Sequence, residues 1–201
     1  SNQLYIKHSW RLLAGLALAN DGYQSAKATT YLTWGEYYLK NRGIPVFNQV
    51  GGQDGGWSES RSYFVLFVHW WVHHLLAWKT ATGENLFPQC TGLAGAAQWM
   101  VHTNHPHDMQ RCAQGDINTS PNTTRTPGWD ETFYWLPILA REYRDGVAQY
   151  WGKTGFDVYE FRFWPFIIAY DPTVTPVAPP EMPTAQVFEN VGWAAMRSDW
   201  T

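Results

Sequence analysis

Apolar residues recur every three to four positions along most of this chain, which is the spacing of one buried face of an α-helix. Glycine, proline and short polar runs interrupt the pattern and mark the ends of the predicted helices. The pattern predicts six helices, at residues 4–19, 25–42, 58–82, 89–102, 130–145 and 157–170. Pro165 lies inside the last of them and predicts a kink, because proline has no backbone N–H to donate.

The pattern changes towards the C-terminal end of the sequence. Residues 171–186 contain five prolines and predict a linker. Residues 187–188 and 191–196 are rich in apolar and aromatic side chains, and they predict two strands. Because a strand pair is not stable by itself, the sequence predicts that residues 187–201 are the start of a truncated β domain.

Paired antiparallel helices with long loops at one end are typical of a toroid built from α/α hairpins. The sequence therefore predicts a mainly α fold in which residues 1–170 form a partial (α/α) toroid. Its open edge is expected to be covered by missing chain or by another subunit. Residues 104–130 form a long loop rich in proline, threonine, asparagine and glycine, and loops of that length are usually functional or disordered.

Aromatic side chains are unusually abundant, with 13 Trp and 11 Tyr among 201 residues. They fit either an aromatic core or a carbohydrate groove in which flat rings stack on sugar faces. The formal net charge of -3 gives no sign of nucleic-acid binding. The longest apolar run, residues 63–78, is too short and too polar for a membrane span, which needs about 20 residues. Cys90 and Cys112 allow one disulfide or two free thiols.

The glycine-rich loop at residues 48–57 and the start of the next helix carry the main candidates for ligand binding. Trp57 follows two glycines, and we expect it to be exposed and to stack on a sugar ring. Glu59 lies four residues before Tyr63 and is predicted to share its helical face, whereas Arg61 points elsewhere. Two amide side chains in the loop complete the set of polar candidates: Asn48 and Gln53.

Histidines form two clusters, which are His69, His73 and His74 on the third predicted helix, and His102, His105 and His107 at the start of the long loop. In the first cluster, spacing of one helical turn could place two imidazoles on a metal, but no glutamate lies between them as in a metalloprotease helix. The second cluster could line a groove. We therefore expect neither a metal nor a cofactor.

Three segments, in order along the chain, resemble the heparinase II/III-like polysaccharide lyases. Residues 5–17 resemble an Asn-His helix of that family, residues 54–63 resemble its Asp-Gly-Gly segment ending in tyrosine, and residues 192–200 resemble its Met-Arg-Ser strand pair. The resemblance implies an incomplete α/α toroid followed by an antiparallel β-sandwich. It also implies a periplasmic or secreted lyase that cleaves an acidic, uronate-containing polysaccharide by β-elimination.

The same resemblance implies roles for individual residues. Tyr63 would be the main acid/base, and His8 would be a second proton-handling group or would neutralise the substrate carboxylate. Lys7 stands where the family commonly has asparagine, and it could neutralise that carboxylate as a point charge. Asp116 follows glycine in the long loop and would bind sugar hydroxyls. The full set of expected substrate-binding residues is Lys7, Asn48, Gln53, Trp57, Glu59, Arg61 and Asp116.

Two other functions are compatible with the sequence. A glycoside hydrolase on an α/α toroid would need two carboxylates flanking the bond, and the available candidates are Asp54, Glu59, Asp130 and Glu131. A non-catalytic glycan-binding fragment would use Trp57 and the glycine-rich loop without any chemistry. The products distinguish the three, because only a lyase leaves an unsaturated sugar end.

Overall fold

The computed structural model describes residues 2–20, 22, 24–59, 61–104, 135–159 and 164–200. Within these residues the chain is mainly helical, with a small two-stranded antiparallel sheet near its C-terminal end. The elements are α1 (Asn2–Leu18), α2 (Ser25–Tyr38), α3 (Ile44–Gly51), α4 (Arg61–Thr82), α5 (Ala96–His102), α6 (Leu136–Tyr143), α7 (Gly146–Tyr159), α8 (Trp164–Ala169), β1 (Ala185–Phe188) and β2 (Trp193–Met196). No helix among the described residues is long and apolar enough to cross a membrane.

The first three predicted helices are confirmed, with changes at their ends. The second helix continues through a π-helical turn, Leu39–Gly43, directly into α3. Pro45 does not stop this continuation: it is the second residue of α3 and follows the π-helical turn directly. Part of the predicted glycine-rich loop is therefore helical. The predicted helix at residues 89–102 is shorter than expected, since two 3-10 turns precede α5.

The last two predicted helices are confirmed in part, with different ends. Residues 136–143 form α6, while residues 157–159 end α7 and residues 164–169 form α8; residues 130–134 and 160–163 lie outside the described part of the chain. Asp145 does not end a helix but begins α7, because its Oδ1 accepts hydrogen bonds from the backbone N–H of Val147 at 2.8 Å and of Ala148 at 3.1 Å. The preceding residue, Arg144, has a φ of 56° and ends α6 with a left-handed turn. Pro165, where a kink was predicted, is the second residue of α8, and the four residues that precede α8 are outside the described part of the chain.

α1 and α2 form a tightly packed antiparallel hairpin. A Cβ added to Gly35 would lie 2.8 Å from the Cα of Leu12, and one added to Gly15 would lie 2.8 Å from the backbone nitrogen of Leu32. The two helix backbones can approach this closely only where a side chain is absent. α1 also packs against α4, where Trp10 and Trp70 bring their ring centroids within 4.8 Å.

α4 supplies the centre of the hydrophobic core. Its buried side chains recur at three- and four-residue intervals, as expected for one helical face: Phe64, Phe67, Val68, Trp71 and Leu75. Phe47 from α3 stacks on Phe67 at 5.1 Å between ring centroids. Phe188 from β1 is fully buried in the same core, so the helical part and the strand pair share one set of packed side chains.

Two glycine pairs let the chain after α3 pass directly over the turns before α5. A Cβ on Gly51 would lie 3.0 Å from the Cα of Gly92, and a Cβ on Gly55 would lie 2.2 Å from the carbonyl carbon of Gly95. Gly55 also has a φ of 76°, which favours glycine. We call these two backbone contacts the glycine crossings. They fix the chain that leads into α4 against the chain that leads into α5.

The two strands pair as predicted, with Ala185 opposite Met196 and Phe188 opposite Trp193. The predicted linker before them is partly packed against the turn between α6 and α7. Asp171 forms an ion pair with Arg144 at 2.7 Å, and its carbonyl accepts a hydrogen bond from Gln149 Nε2 at 2.9 Å. The segment is therefore tied at its start to the helical part.

The glycine crossings generate a stability prediction. We expect Gly55→Ala to reduce the free energy of unfolding by at least about 2 kcal/mol more than Gly83→Ala, because only the first adds overpacking to left-handed backbone strain. Gly83 is the matched control, since its φ is 78° but a Cβ there would meet nothing within 4 Å. Urea unfolding of both variants measures the difference. Equal losses would contradict the close crossing at Gly55.

Candidate functional site

A shallow recess lies between α1, α2 and α4, at the position of His8. Six side chains line it: His8, Leu12, Tyr38, Leu39, Trp71 and His74. The imidazole of His8 stacks on the phenol ring of Tyr38, with the centroids 4.3 Å apart and the planes at 24°. The antiparallel packing of α1 on α2 brings these two rings together although they are 30 positions apart in the sequence.

His8 is partly buried in this recess. Burial lowers the pKa of its imidazole below the ordinary value of 6.5, and the positive charge of Arg11 lowers that pKa further. The side chain is therefore neutral at pH 7, with a ring nitrogen able to accept a proton.

Tyr63 lies in the first turn of α4 and is half-buried. It shares a helical face with Trp70, seven residues further on, and Trp70 contacts α1. The recess residue Trp71 lies eight residues after Tyr63, which corresponds to about 12 Å along the helix axis. The structure thus places Tyr63 beside the α1–α4 contact, about two helical turns from the part of α4 that lines the recess.

Trp57 was predicted to be exposed, and this prediction was wrong. Only 4% of its surface is exposed, and its ring stacks on Phe67 at 4.5 Å and packs against Phe47 at 5.4 Å between centroids. The glycines before it allow the chain to turn inward rather than outward. Trp34 is instead an exposed tryptophan, with 51% of its surface accessible.

Asn48 connects two parts of the backbone. Its Nδ2 donates to the carbonyl of Gln89 at 2.7 Å, and its Oδ1 accepts from the N–H of Gly92 at 3.1 Å. Both ends of the amide therefore hold α3 against the turns before α5. Asn48 therefore stabilises the packing of α3, in addition to its predicted role in substrate binding.

The Asp-Gly-Gly segment also connects distant parts of the chain. Asp54 Oδ1 accepts from the N–H of Gly56 at 3.0 Å, and Oδ2 accepts from the N–H of Glu189 at 2.8 Å. The carboxylate thus joins the loop before α4 to the turn between β1 and β2. Because both oxygens already accept backbone hydrogen bonds, the segment acts here as a joint between the helices and the strand pair.

The other predicted binding residues are dispersed. Gln53 and Glu59 are exposed on the turns between α3 and α4. Glu59 precedes the first residue of α4, so the expected sharing of a helical face with Tyr63 does not apply. Lys7 lies on α1 and Arg61 begins α4, and the structure describes their backbone positions only. A further set lies outside the described residues: Asp116, His105, His107, Asp130, Glu131 and Cys112.

The histidines of α4 are buried to different extents. His69 and His73 contact each other with perpendicular rings 4.5 Å apart, and burial lowers the pKa of each to about 4. His74 Nδ1 is hydrogen-bonded to the carbonyl of Trp70. Among the described residues, no group of three or more histidine, cysteine, aspartate or glutamate side chains could hold a metal ion.

His102 and Cys90 are buried groups of the core. His102 packs against Trp200 at 5.2 Å between ring centroids, and burial together with the charge of Arg197 lowers its pKa to about 4. Cys90 is a free thiol that accepts a hydrogen bond from Trp71 Nε1 at 3.3 Å, and burial raises its pKa to about 12. A thiol with that pKa is protonated and unreactive at neutral pH.

Tyr38 and His74 line the recess with His8. Tyr38 was not identified from the sequence, and His74 was identified only as part of a histidine cluster on the third predicted helix. Both lie on helices where aromatic and histidine residues fit a core equally well. No local pattern links position 38 to position 8. The close packing of α1 on α2 at Gly15 and Gly35 brings Tyr38 against His8. A single glycine inside a predicted helix does not by itself reveal such a contact.

The burial of Trp57 can be tested by substitution. We expect Trp57→Ala to reduce the free energy of unfolding by about 3–5 kcal/mol, because it removes a buried indole. Trp34→Ala is the matched control, and its exposed side chain should change stability by no more than about 0.5 kcal/mol. Chemical unfolding followed by circular dichroism measures both. A small effect at Trp57 would contradict its place in the core.

The free energy of unfolding is expected to depend on pH through three histidines with lowered pKa values: His69, His73 and His102. Their pKa of about 4 in the folded chain lies below 6.5, so the unfolded chain binds more protons between these values. Their stabilising contribution is complete above pH 6.5 and is lost as the pH falls towards 4. Each proton contributes at most about 1.4 kcal/mol per pH unit. Urea unfolding of wild type and His102→Gln between pH 7 and 5 should show a smaller loss in the variant, and identical losses would contradict the shift at His102.

Comparisons with known proteins do not assign this chain to a family. It matches no family model, no curated protein and no solved structure. Function is therefore inferred from the chain's own residues, above all the neutral imidazole of His8 in its recess and the phenol of Tyr63 at the start of α4.

Proposed function

We propose that this chain is part of a polysaccharide lyase that cleaves an acidic, uronate-containing polysaccharide by β-elimination. The observation that carries the proposal is the order of three sequence segments, at residues 5–17, 54–63 and 192–200, that resemble heparinase II/III-like lyases. His8 lies in the first segment and Tyr63 in the second, and both side chains are partly exposed. The resemblance to heparinase II/III-like lyases assigns proton transfer to these same two residues.

The chemistry needs three functions around one uronate ring. A base removes the proton from the carbon next to the carboxylate, and the electron pair left behind forms the new carbon–carbon double bond. The bond from the neighbouring carbon to the glycosidic oxygen breaks, and an acid protonates the departing oxygen. A positive or hydrogen-bonding group must also neutralise the carboxylate, because negative charge builds up there.

The residues of this chain fit these functions as follows. Tyr63 would be the main acid/base, taking the proton from the ring carbon and returning it to the departing oxygen. His8 lines the recess about two helical turns further along α4, so it would act on a neighbouring part of the substrate. Lys7, next to His8 in the sequence, would supply the charge that neutralises the carboxylate. Tyr63 would act as the base only where a nearby cation lowers its pKa from the ordinary value of about 10.

We also propose the finer architecture that this function implies. The α1–α2 hairpin would belong to a partial α/α toroid, and β1 and β2 would begin an antiparallel β-sandwich. In support, Val187 and Met196 expose 57% and 82% of their surfaces on the outer face of the strand pair, where a second sheet could pack. Action on an extracellular polymer would place the protein in the periplasm or outside the cell.

The hydrolase alternative has less support from the described carboxylates. Asp54 uses both oxygens to hold backbone N–H groups, and Glu59 lies exposed on a turn. Neither forms a pair that flanks a cleft. The glycan-binding alternative keeps support from the exposed aromatic side chains of α2, Trp34 and Tyr37, on which a sugar would stack without any chemistry.

The lyase proposal is tested by ultraviolet absorbance while the protein is incubated with a panel of uronate polymers. Unsaturated sugar ends absorb, so we expect a steady rise with at least one polymer. Tyr63→Phe should lower the rate at least about 100-fold, because it removes a proton-transfer group. Tyr170→Phe is the matched control, since Tyr170 is an exposed tyrosine following α8, and it should leave the rate unchanged.

The other outcomes separate the alternatives. New reducing ends without absorbance would overturn the lyase in favour of a hydrolase. An intact polymer across the whole panel would overturn catalysis in favour of binding alone. A rise that survives in Tyr63→Phe but is lost in His8→Gln would remove Tyr63 from the mechanism and leave His8 in it.

A further inference from the structure

The outward side of α2 carries two large aromatic side chains that the described part of the chain leaves about half exposed. Trp34 exposes 51% of its surface and Tyr37 exposes 46%. Their rings meet edge to face, with centroids 6.4 Å apart. Adjacent exposed rings form an apolar patch, and apolar patches with polar surroundings are a common property of binding surfaces.

The surroundings of the pair are polar. Lys27, Thr30, Trp34 and Tyr37 follow one another at intervals of three, four and three residues, which places them on one stripe of α2, and all four are exposed. A helix face that packs against another helix is mainly apolar along its length. A stripe that alternates flat rings with hydrogen-bonding and charged groups fits a hydrated ligand with both apolar and polar surfaces.

The register of the α1–α2 hairpin places a cation beside this stripe. Leu12 contacts Gly35 and His8 stacks on Tyr38, so Arg11 lies at the level of Trp34. Arg11 is also close enough to His8 to lower the pKa of its imidazole. His8 and Arg11 are three residues apart on α1, and Tyr38 and Trp34 are four apart on α2. In the antiparallel hairpin, Arg11 and Trp34 therefore both lie about one helical turn from the stacked pair, towards the same end.

The charge of this surface is positive. Arg11 and Lys27 are exposed, and neither has an ion-pair partner among the described residues. Glu36 is the acidic residue of α2, and it pairs with Lys40 at 2.9 Å. Charge complementarity therefore favours an acidic ligand.

We propose that the surface formed by Arg11, Lys27, Trp34 and Tyr37, which we call the outer aromatic face, binds an acidic oligosaccharide. Sugar rings would stack on Trp34 and Tyr37, because the C–H groups on a sugar face are attracted to the negative face of an aromatic ring. A carboxylate would pair with Arg11, whose planar guanidinium can donate two parallel hydrogen bonds to it. The class of ligand rests on the proposed function, whereas the location rests on the exposed residues themselves.

Isothermal titration calorimetry with a uronate hexasaccharide tests the proposal. The chain carries Tyr63→Phe in every sample so that cleavage does not compete with binding. We expect Trp34→Ala to weaken binding at least about tenfold, as for an aromatic anchor at an interface. Arg11→Gln should weaken binding of the hexasaccharide but not of its carboxyl-reduced counterpart. Tyr170→Ala and Lys153→Gln are matched controls, an exposed aromatic and an exposed cation elsewhere on the chain.

Several results would overturn the inference. They are unchanged affinity in Trp34→Ala and in Tyr37→Ala, equal binding of the charged and carboxyl-reduced sugars, and no binding of either sugar. Self-association of the wild type that is lost in Trp34→Ala, measured by analytical ultracentrifugation, would assign the face to protein contact instead. Failure of the absorbance assay with binding retained would sink the lyase proposal and leave this site standing.

Discussion

The glycine crossings are the constraint on which the rest of this structure depends. At Gly55 and Gly95 the two backbones come so close that neither position has room for a side chain. This contact brings the chain from α3 over the turns before α5 and directs Trp57 into the core, where it stacks on Phe67. The direction of α4, and with it the position of Tyr63, follows from how that loop is held.

Hydrogen bonds from the segment at the glycine crossings also fix the position of the strand pair. Asn48 holds the turn at Gly92, and Asp54 accepts the backbone N–H of Glu189 between β1 and β2. These side chains lie in the segment richest in apparent ligand-binding groups, yet their hydrogen bonds are internal. Buried or partly buried polar groups in a folded chain need partners, and here the chain supplies them. Residues 48–57 therefore connect the helices to the strand pair, and candidate catalytic residues are expected on the helices next to this segment.

Periodicity of apolar residues was enough to predict α1, α2, α4 and the strand pair, because each has a long buried face or a short run of strand-forming side chains. It could not predict α3, since Gly43 and Pro45 are typical of a helix end and here continue the helix through a π-helical turn. The candidate site was predictable only in part. His8 and Tyr63 were found through family resemblance, while the inward direction of Trp57 and the partner Tyr38 depend on backbone contacts between distant segments.

The division of aromatic side chains between core and surface connects the two proposals. Phe47, Phe67 and Trp71 stack on one another and leave no face for a ligand. The rings of Trp34 and Tyr37 are exposed outside the core, and both residues lie within about one helical turn of Tyr38. A sugar chain held on the outer aromatic face would therefore run towards the ring on which His8 stacks. Under the two proposals, Arg11 would hold one carboxylate of that sugar chain near His8, while Lys7 would neutralise the carboxylate of the ring that is cleaved.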